Sequence, residues 1–503
     1  MADGVIRLHG SDNVVIALQD LPAGAVAAGV NTPLPGAVPR GHKIATHSIS
    51  AGDEVIRYGQ IIGQATVDIP AGGHVHSQNL GMGPHSSDYA IGSECRPLPP
   101  LPPRSFMGYH RADGSVGTRN YLGILTSVNC SGSVARFIAE AAEKDPELLA
   151  MPGIDGVVPI VHGTGCGMSG TNEGYLTLMR TLKGYARNPN FGGILLVGLG
   201  CEVMQVPDLV GQGRLRPDGN FRYMTIQGEG GTRATIDRAL TVIREMARVA
   251  GQTVRAPAPV SKLVVGLQCG GSDGYSGITA NPALGHASDL LVQMGGTTIL
   301  SETPEIYGAE HLLTRRAVSR EVGETLLERV RWWEGYTAQN GGEMDNNPSP
   351  GNKRGGLTTI LEKSLGAVAK GGTAPLSGVY KFAEPITTPG FVYMDSPGYD
   401  PCSVTGQIAS GATLIVFTTG RGSVSGYKPS PCIKLATNSE MYARMKEDMD
   451  INCGDILDGV SIATKGEEIL DKIIATASGQ QTLSEELGFG GAEFVPWQIG
   501  AVM

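Results

Sequence analysis

Residues 121–128 (YLGILTSV) form an unbroken apolar run, which predicts a strand buried on both faces of a sheet. Two similar runs follow, 156–161 (GVVPIV) and 193–197 (GILLV), and helical periodicity over 173–185 lies between them. After the first run, Ser131 or Ser133 can cap a helix whose buried face would contain Val134, Phe137, Ile138 and Ala141. This alternation predicts a parallel sheet with right-handed crossovers.

Proline-rich stretches on either side of this unit divide the chain. Residues 96–105 begin with RPLPPLPP and 253–261 contain TVRAPAPVS, and both compositions favour extended linkers. Residues 1–95 contain short apolar runs such as 13–18 and 54–58, separated by Gly and Pro, which predict a small β-rich domain. We therefore expect an α/β protein with that domain first, then α/β units over 106–252 and 262–503.

The third unit is predicted to be a second α/β unit, which either extends or faces the first sheet. Its strand candidates are 262–267, 297–300, 391–394 and 413–417, and a helix is expected over 318–333.

Composition narrows the class of protein. The formal net charge is −9, which argues against a general nucleic-acid binder. No apolar stretch approaches the length of a membrane span, and residues 1–10 do not resemble a signal peptide. Eight cysteines in 503 residues do not form a disulfide framework, so reduced thiols are expected. A cytoplasmic enzyme without a membrane or nucleic-acid partner is predicted.

Four of these cysteines follow predicted strands. Cys130, Cys166, Cys201 and Cys269 each lie a few residues beyond a strand, and glycines lie beside the last three. Loops at the carboxyl ends of parallel strands meet at one edge of a sheet, so the four thiols are predicted to converge on a metal. Burial as small apolar side chains is the alternative for each cysteine.

Several long motifs resemble one family, the altronate and galactarate dehydratases. They are 111–120 (RADGSVGTRN), 197–202 (VGLGCE), 268–285 (QCGGSDGYSGITANPALG), 347–356 (NPSPGNKRGG), 417–422 (FTTGRG) and 434–439 (KLATNS). Residues 41–43 (GHK), 56–59 (IRYG) and 69–76 (IPAGGHVH) resemble the SAF domain that begins this family. The resemblance implies a hydro-lyase that dehydrates an acidic sugar to a 2-keto-3-deoxy acid.

That reaction needs a Lewis acid and groups that move protons. The resemblance implies divalent iron. The cysteines add an iron–sulfur cluster as an alternative, and another divalent cation also remains open. His162, in a strand-end loop, is the first candidate for the general base or acid, and Lys353 is the second.

Polar residues in the same motifs are candidates for substrate binding. Arg421 follows a strand and can grip a carboxylate. The other candidates are Asp273, Asn281, Asn352, His42, His74 and His76. The three histidines would contribute to a metal or substrate site, and polar residues at the surface are the alternative. The first domain is alternatively a lid that closes over the substrate. Glu202 and Glu302 rank lower, because carboxylates in glycine-rich loops often only fix turns.

Two alternative functions stay open at this point. A sulfo-lyase acting on sulfolactate would expel sulfite instead of water, but the fused small domain favours the sugar-acid dehydratases. A non-catalytic protein that binds a metal or a sugar acid is the second alternative. The sequence leaves the sugar acid undetermined and a homodimer open.

Overall fold

The computed structural model describes residues 4–83, 88–211, 215–216 and 219–500. The N-terminal domain consists of two small antiparallel sheets, in the orders β1-β2-β3-β6 and β4-β5-β7. Its strands are β1 (Val5–Ile6), β2 (Val14–Ala17), β3 (Lys43–Ala45), β4 (Glu54–Arg57), β5 (Gln60–Ala65), β6 (His74–Val75) and β7 (Leu80–Gly81). The strands predicted near 13–18 and 54–58 are β2 and β4.

The second domain contains a parallel sheet in the order β11-β10-β12-β13. The strands from this part of the chain are β8 (Ser105–His110), β9 (Val116–Gly117), β10 (Tyr121–Thr126), β11 (Gly156–Ile160), β12 (Phe191–Gly198) and β13 (Phe221–Thr225). The helices are α1 (Gly132–Ala142), α2 (Pro146–Leu149), α3 (Glu173–Arg187), α4 (Val206–Val210) and α5 (Thr232–Ala250). The predicted βαβαβ order is present as β10, α1, β11, α3 and β12.

The buried face of α1 differs from the predicted one. Phe137 is 48% exposed, whereas the neighbouring Ile138 is fully buried. The buried residues of α1 are Gly132, Val134, Ala135, Ile138, Ala139 and Ala142. Small alanines allow the helix to lie close to the sheet, so hydrophobicity alone placed the face incorrectly.

The C-terminal domain contains a seven-stranded parallel sheet, in the order β17-β18-β16-β15-β19-β20-β21. Its strands are β15 (Val264–Cys269), β16 (Thr297–Ser301), β17 (Leu376–Tyr380), β18 (Gly390–Met394), β19 (Leu414–Thr419), β20 (Cys432–Ala436) and β21 (Ile451–Asn452), and β14 (Ala256–Pro259) precedes them outside this sheet. The helices are α6 (Ala280–Gln293), α7 (His311–Thr314), α8 (Arg320–Gln339), α9 (Pro350–Arg354), α10 (Ile360–Val368), α11 (Asp400–Ala409), α12 (Ser439–Arg444), α13 (Ile462–Ala477) and α14 (Leu483–Glu486). This sheet includes all four strands predicted for the unit.

The second predicted linker, 253–261, contains a strand. Strand β14 pairs with β8 in an antiparallel sheet of order β14-β8-β9. Its prolines are tolerated because β14 is an edge strand, where one side of the backbone needs no ladder hydrogen bonds.

The two parallel sheets face each other across helices rather than forming one continuous sheet. Helices α3 and α11 share one core with both sheets, through residues such as Leu178, Ile194, Ile408 and Phe417. Helices α1 and α5 cover the outer face of the four-stranded sheet. Helices α6 and α13 cover the far face of the seven-stranded sheet. In the part of the chain described, no helix is long and apolar enough to cross a membrane.

Candidate active site

The seven-stranded sheet reverses its winding direction between β15 and β19. Strands β16, β17 and β18 lie on one side of β15, and β19, β20 and β21 lie on the other. Ligands of open parallel sheets bind outside the carboxyl ends of the strands at such a switch point. The backbone N–H groups of Gly420 and Arg421 donate to the Gly271 carbonyl, at 3.1 and 2.8 Å, which holds the two loops side by side.

A cavity of about 140 Å³ opens at this switch point. Its polar lining consists of Arg40, Asp273, Tyr275, Arg354, Arg421, Asn438, Glu440 and Arg444. Arg40 forms a salt bridge of 2.9 Å with Glu440. Among the residues that the structure describes, no carboxylate forms a salt bridge with Arg354, Arg421 or Arg444. The cavity is therefore suited to a small anion.

Asp273 joins two loops at the base of this cavity, its own and the one that follows β20. Its Oδ1 accepts hydrogen bonds from the Tyr275 N–H at 3.1 Å, the Ser276 hydroxyl at 3.0 Å and the Thr437 hydroxyl at 2.9 Å. Its Oδ2 accepts one from Asn438 at 3.0 Å. Burial raises the pKa of Asp273, although these donors oppose the rise. The residue predicted to bind substrate thus also fixes the shape of the cavity.

The three histidines of the N-terminal domain meet in space, as candidate metal ligands require. Potential ligand atoms of His42, His74 and His76 lie within 4.8 Å of one another. Nδ1 of His42 and Nε2 of His74 are 3.0 Å apart, while Nδ1 of His76 is buried with no hydrogen-bond partner. Burial lowers the pKa of His74 to about 4 and that of His76 to about 3. The rings are therefore neutral at physiological pH, which is the form that binds metals.

The histidine cluster adjoins the arginine-lined cavity. Nε2 of His42 lies 3.3 Å from the carbonyl oxygen of Arg354, a residue that lines the cavity. The two chain segments approach so closely that a Cβ on Gly356 would lie 2.3 Å from the Gly41 carbonyl oxygen. Glycine is required at Gly356 for this contact, and its φ of +102° also favours glycine.

A buried ion cluster anchors the histidine-bearing domain at this place. Lys43 Nζ donates to both carboxylate oxygens of Glu362 at 2.9 Å, and Arg57 pairs with the same carboxylate. All three side chains are fully buried. Burial raises the pKa of Glu362, but Lys43 and Arg57 outweigh it and lower that pKa to about 2. Burial lowers the pKa of Lys43 to about 8, against the attraction of Glu362.

Cys269 lies in a second buried cluster, between the ends of β15 and β16. Lys370 Nζ donates to its Sγ at 2.8 Å, and Lys363 Nζ donates to Glu305 at 2.5 Å. Burial raises the pKa of the Cys269 thiol to about 12. Although Cys269, Glu302 and Glu305 are close enough to hold a cation, the two ammonium groups already neutralise negative charge there. We therefore leave Cys269 out of the proposed metal ligands.

Glu302 is the unusual member of this second cluster. Both of its carboxylate oxygens are buried and have no hydrogen-bond partner. Its backbone adopts the left-handed region, at φ 75° and ψ 76°. Burial raises the pKa of Glu302 well above its ordinary value. Unpaired buried acids and strained backbone both concentrate at functional sites.

The other three cysteines lie at the edge of the four-stranded sheet. Cys130, Cys166 and Cys201 are exposed and follow the adjacent strands β10, β11 and β12. The prediction of a single ion held by all four cysteines is wrong in one respect, because Cys269 belongs to the other sheet. Among the described residues, neither group of close potential ligands contains any of these three thiols. An iron–sulfur cluster spaces its thiolates further apart, so that alternative remains a prediction.

His162 does not have the geometry of a general base. Its Nε2 lies 3.0 Å from the Thr126 carbonyl oxygen, and its Nδ1 accepts from the Thr164 N–H at 3.3 Å. Burial lowers its pKa to about 4, so the ring is neutral and both nitrogens have backbone partners. The ring braces the loops after β10 and β11.

Two of the predicted substrate-binding amides are also used within the fold. Asn281 donates to the Gly366 carbonyl and accepts from Thr418, at 2.9 and 2.6 Å. Asn352 completes a capping box at the start of α9 and donates to the Ser272 carbonyl at 2.8 Å. Lys353 is half-buried in α9, next to Arg354.

The structure adds residues that the sequence reasoning missed. Arg354 and Arg444 line the cavity, and Glu305, Lys363 and Lys370 surround Cys269. The sequence carried two weak signals for the second group. Glu302 and Glu305 lie three residues apart directly after a strand. Lys363 and Lys370 are seven residues apart, a spacing that places two side chains on the same face of a helix.

Comparison with known proteins gives matches along nearly the whole chain. Three family models match: an altronate/galactarate dehydratase SAF domain over residues 3–83, a D-galactarate dehydratase/altronate hydrolase second domain over 108–251, and a D-galactarate/altronate dehydratase C-terminal domain over 260–502.

Three curated relatives show how far this likeness extends. Galactarate dehydratase (L-threo-forming) of Escherichia coli (strain K12) is 39% identical over 96% of this chain and 94% of its own length. Altronate dehydratase of the same organism is 36% identical over 96% of this chain and 97% of its own. The (2R)-sulfolactate sulfo-lyase subunit beta of Chromohalobacter salexigens is 32% identical over 76% of this chain and 95% of its own.

Proposed function

Because this chain belongs to the D-galactarate and altronate dehydratase family and is a sugar-acid dehydratase, we propose that it forms a 2-keto-3-deoxy acid with the help of divalent iron. The observation that carries this proposal is the contact between the histidine cluster and the arginine-lined cavity at the switch point. Candidate metal ligands from one domain therefore lie beside candidate anion-binding groups from another.

The arginines account for recognition of the substrate. The guanidinium group presents paired donors that match the two oxygens of a carboxylate. Arg354 and Arg421 line the cavity, and their segments bond to the loop after β15, so we assign the substrate carboxylate to these two arginines. The protein as a whole carries a net negative charge, which repels an acidic substrate. The positive charge of the arginines in this cavity attracts the substrate locally.

His42, His74 and His76 would hold the metal. Three neutral imidazoles suit iron or zinc, and the unpartnered Nδ1 of His76 has no other use in the described structure. When bound, the ion supplies Lewis acidity, which makes the proton next to the substrate carboxylate easier to remove. Another divalent cation would satisfy the same ligands.

Lys353 is the residue we propose for proton removal. It follows Asn352 on α9 and precedes Arg354, so it lies in the segment that contacts His42 and lines the cavity. His162 is not proposed, because both of its ring nitrogens are engaged by backbone groups.

Assay and metal analysis of one anaerobic preparation test this function. A panel of sugar acids is supplied with ferrous iron, keto-acid formation is measured, and iron and acid-labile sulfide are quantified. We expect His76→Ala to lose iron, whereas His110→Ala, an exposed histidine of the second domain, retains it. Keto acid from none of the sugar acids would overturn the proposal.

The three exposed thiols support a different cofactor. Cys130, Cys166 and Cys201 are grouped at one sheet edge, as ligands of an iron–sulfur cluster would be. If acid-labile sulfide is found in proportion to iron, and if Cys166→Ser loses the iron while His76→Ala keeps it, the cofactor is an iron–sulfur cluster bound by these cysteines and not an ion bound by the histidines.

The likeness to a sulfo-lyase subunit supports one alternative reaction. Sulfite release from sulfolactate, measured beside the sugar-acid panel, distinguishes it. Sulfite without keto acid from any sugar acid would replace the dehydratase proposal.

A further inference from the structure

The arginines of the cavity are distributed along its length. Arg354 lies beside the histidine cluster and the end of β15, through the hydrogen bond of 2.8 Å from the Gly274 N–H to the Gly355 carbonyl. Arg421 follows β19, and Arg444 ends α12, the helix that follows β20. Strands β15, β19 and β20 are consecutive in the sheet. The row therefore spans two strand spacings, about 10 Å.

The charge of the cavity exceeds what one carboxylate needs. Its lining contains four arginines and two acids. Asp273 is fully engaged by neutral donors, and Glu440 pairs with Arg40. Arg354, Arg421 and Arg444 are left to face the cavity without a salt bridge to any described carboxylate. Three such guanidinium groups suit a dianion better than a monoanion.

From this arrangement we propose that the enzyme acts on aldarates, which carry a carboxylate at both ends, in preference to aldonates, and that Arg444 binds the distal carboxylate. The inference rests on the proposed dehydratase function and deepens it. Arg354 and Arg421 hold the carboxylate next to the reacting carbon. Arg444, at the opposite end of the row, is positioned for the second one.

Arg444 is well suited to mutation. It lies on the surface at the last position of α12, so its side chain can be changed without disturbing the core. Arg444→Met keeps much of the length and removes the charge. Lys446→Met is the matched control, because Lys446 is exposed two residues further along and does not line the cavity.

The experiment compares kcat/KM for aldarates and for aldonates of the same chain length and configuration. We expect the wild-type enzyme to favour aldarates, and Arg444→Met to reduce the aldarate-to-aldonate ratio roughly 10- to 100-fold, the value of a charged hydrogen bond. The change should lie mainly in KM. Arg444→Lys should recover part of the ratio, because it restores the charge without the paired donors. Lys446→Met should leave the ratio at its wild-type value.

Three outcomes overturn this inference, and they differ from failure of the proposed function. A wild-type preference for aldonates contradicts it while leaving dehydration intact. An equal loss with both substrate classes in Arg444→Met also contradicts it. An equal effect of Lys446→Met would show that general surface charge sets the ratio. No keto acid from either class would instead overturn the proposed function.

Discussion

Glu202 and Glu302 show how two similar carboxylates differ once the chain is folded. Both follow a buried strand in the sequence. The Glu202 carboxylate accepts from the Ser127 hydroxyl and from the N–H groups of Leu199 and Gly200, so it fixes its loop as expected. The Glu302 carboxylate has no hydrogen-bond partner. Its surroundings therefore favour the protonated form.

We predict that Glu302→Gln changes how stability depends on pH. The pKa of Glu302 in the folded protein is above its ordinary value of 4.5, because of burial. Folding thus favours the protonated acid, and this contribution is full below pH 4.5 and is lost progressively as the pH rises. Glutamine stays neutral throughout. The melting temperature of the variant should therefore fall less than that of the wild type between about pH 5 and pH 8.

The control for this experiment is Glu324→Gln, the same substitution at a surface position. Glu324 is exposed and pairs only with Arg320 on α8. Its variant should show the same pH profile as the wild type. Identical profiles for Glu302→Gln and the wild type would show that Glu302 is not held protonated by the fold.

At the scale of elements, the local hydrophobic pattern of the sequence predicted the strands well, but it predicted poorly which helix residues pack against the sheet. Strands β10, β12, β15 and β19 are apolar runs long enough to be recognised alone, and their order with the helices indicated parallel sheets. Phe137 shows a limit, since its apolar side chain lies outside the buried face of α1. Local hydrophobicity does not reveal how closely a helix approaches its sheet.

The site was less predictable because its residues are brought together from distant parts of the chain. Lys43 and Glu362 are 319 positions apart, and Thr437 reaches Asp273 across 164. The H-x-H pair correctly suggested that His74 and His76 share a face, but nothing local showed Arg354 beside His42. Strand-end position identified Arg421, whereas Arg444 lies at the end of a helix.

We predict that Glu362→Gln loosens the N-terminal domain. The Glu362 carboxylate lies between Lys43 and Arg57, and removing its charge leaves two buried cations without a counter-charge. Breaking a buried ion pair in this way costs about 3–5 kcal/mol of stability. Denaturant unfolding should show the loss, and proteolysis within residues 88–104 should become faster.

The exposed pair on α8 provides the comparison for this loss. Glu324→Gln removes the partner of Arg320 at the surface and should cost only about 0.5 kcal/mol. Equal stability of the two variants would show that the buried cluster does not hold the N-terminal domain in place.

At the scale of the whole molecule, one core joins the two parallel sheets. Helices α3 and α11 pack between them, and Asn190, before β12, donates to the Thr413 carbonyl, before β19, at 2.9 Å. The segment around 493–499 adds a further connection. Phe494 packs on Tyr185 of the second domain, and the Val495 N–H donates to Thr405 of the C-terminal domain.

We predict that Trp497→Ala loosens the 493–499 segment, which contacts both domains through Phe494 and Val495. Trp497 stacks on Trp333, with ring centroids 5.2 Å apart, and packs edge-on against Trp332 and Phe382. The chain has three tryptophans, all in this group, so intrinsic fluorescence reports on it directly. Because Trp497 is only partly buried, its loss should cost about 2 kcal/mol. The emission of the two remaining tryptophans should shift to longer wavelength, and the melting temperature should fall. Trp497→Phe keeps an aromatic ring in place and should recover most of the stability. An unchanged melting temperature in Trp497→Ala would show that the Trp497 ring does not hold this segment in place.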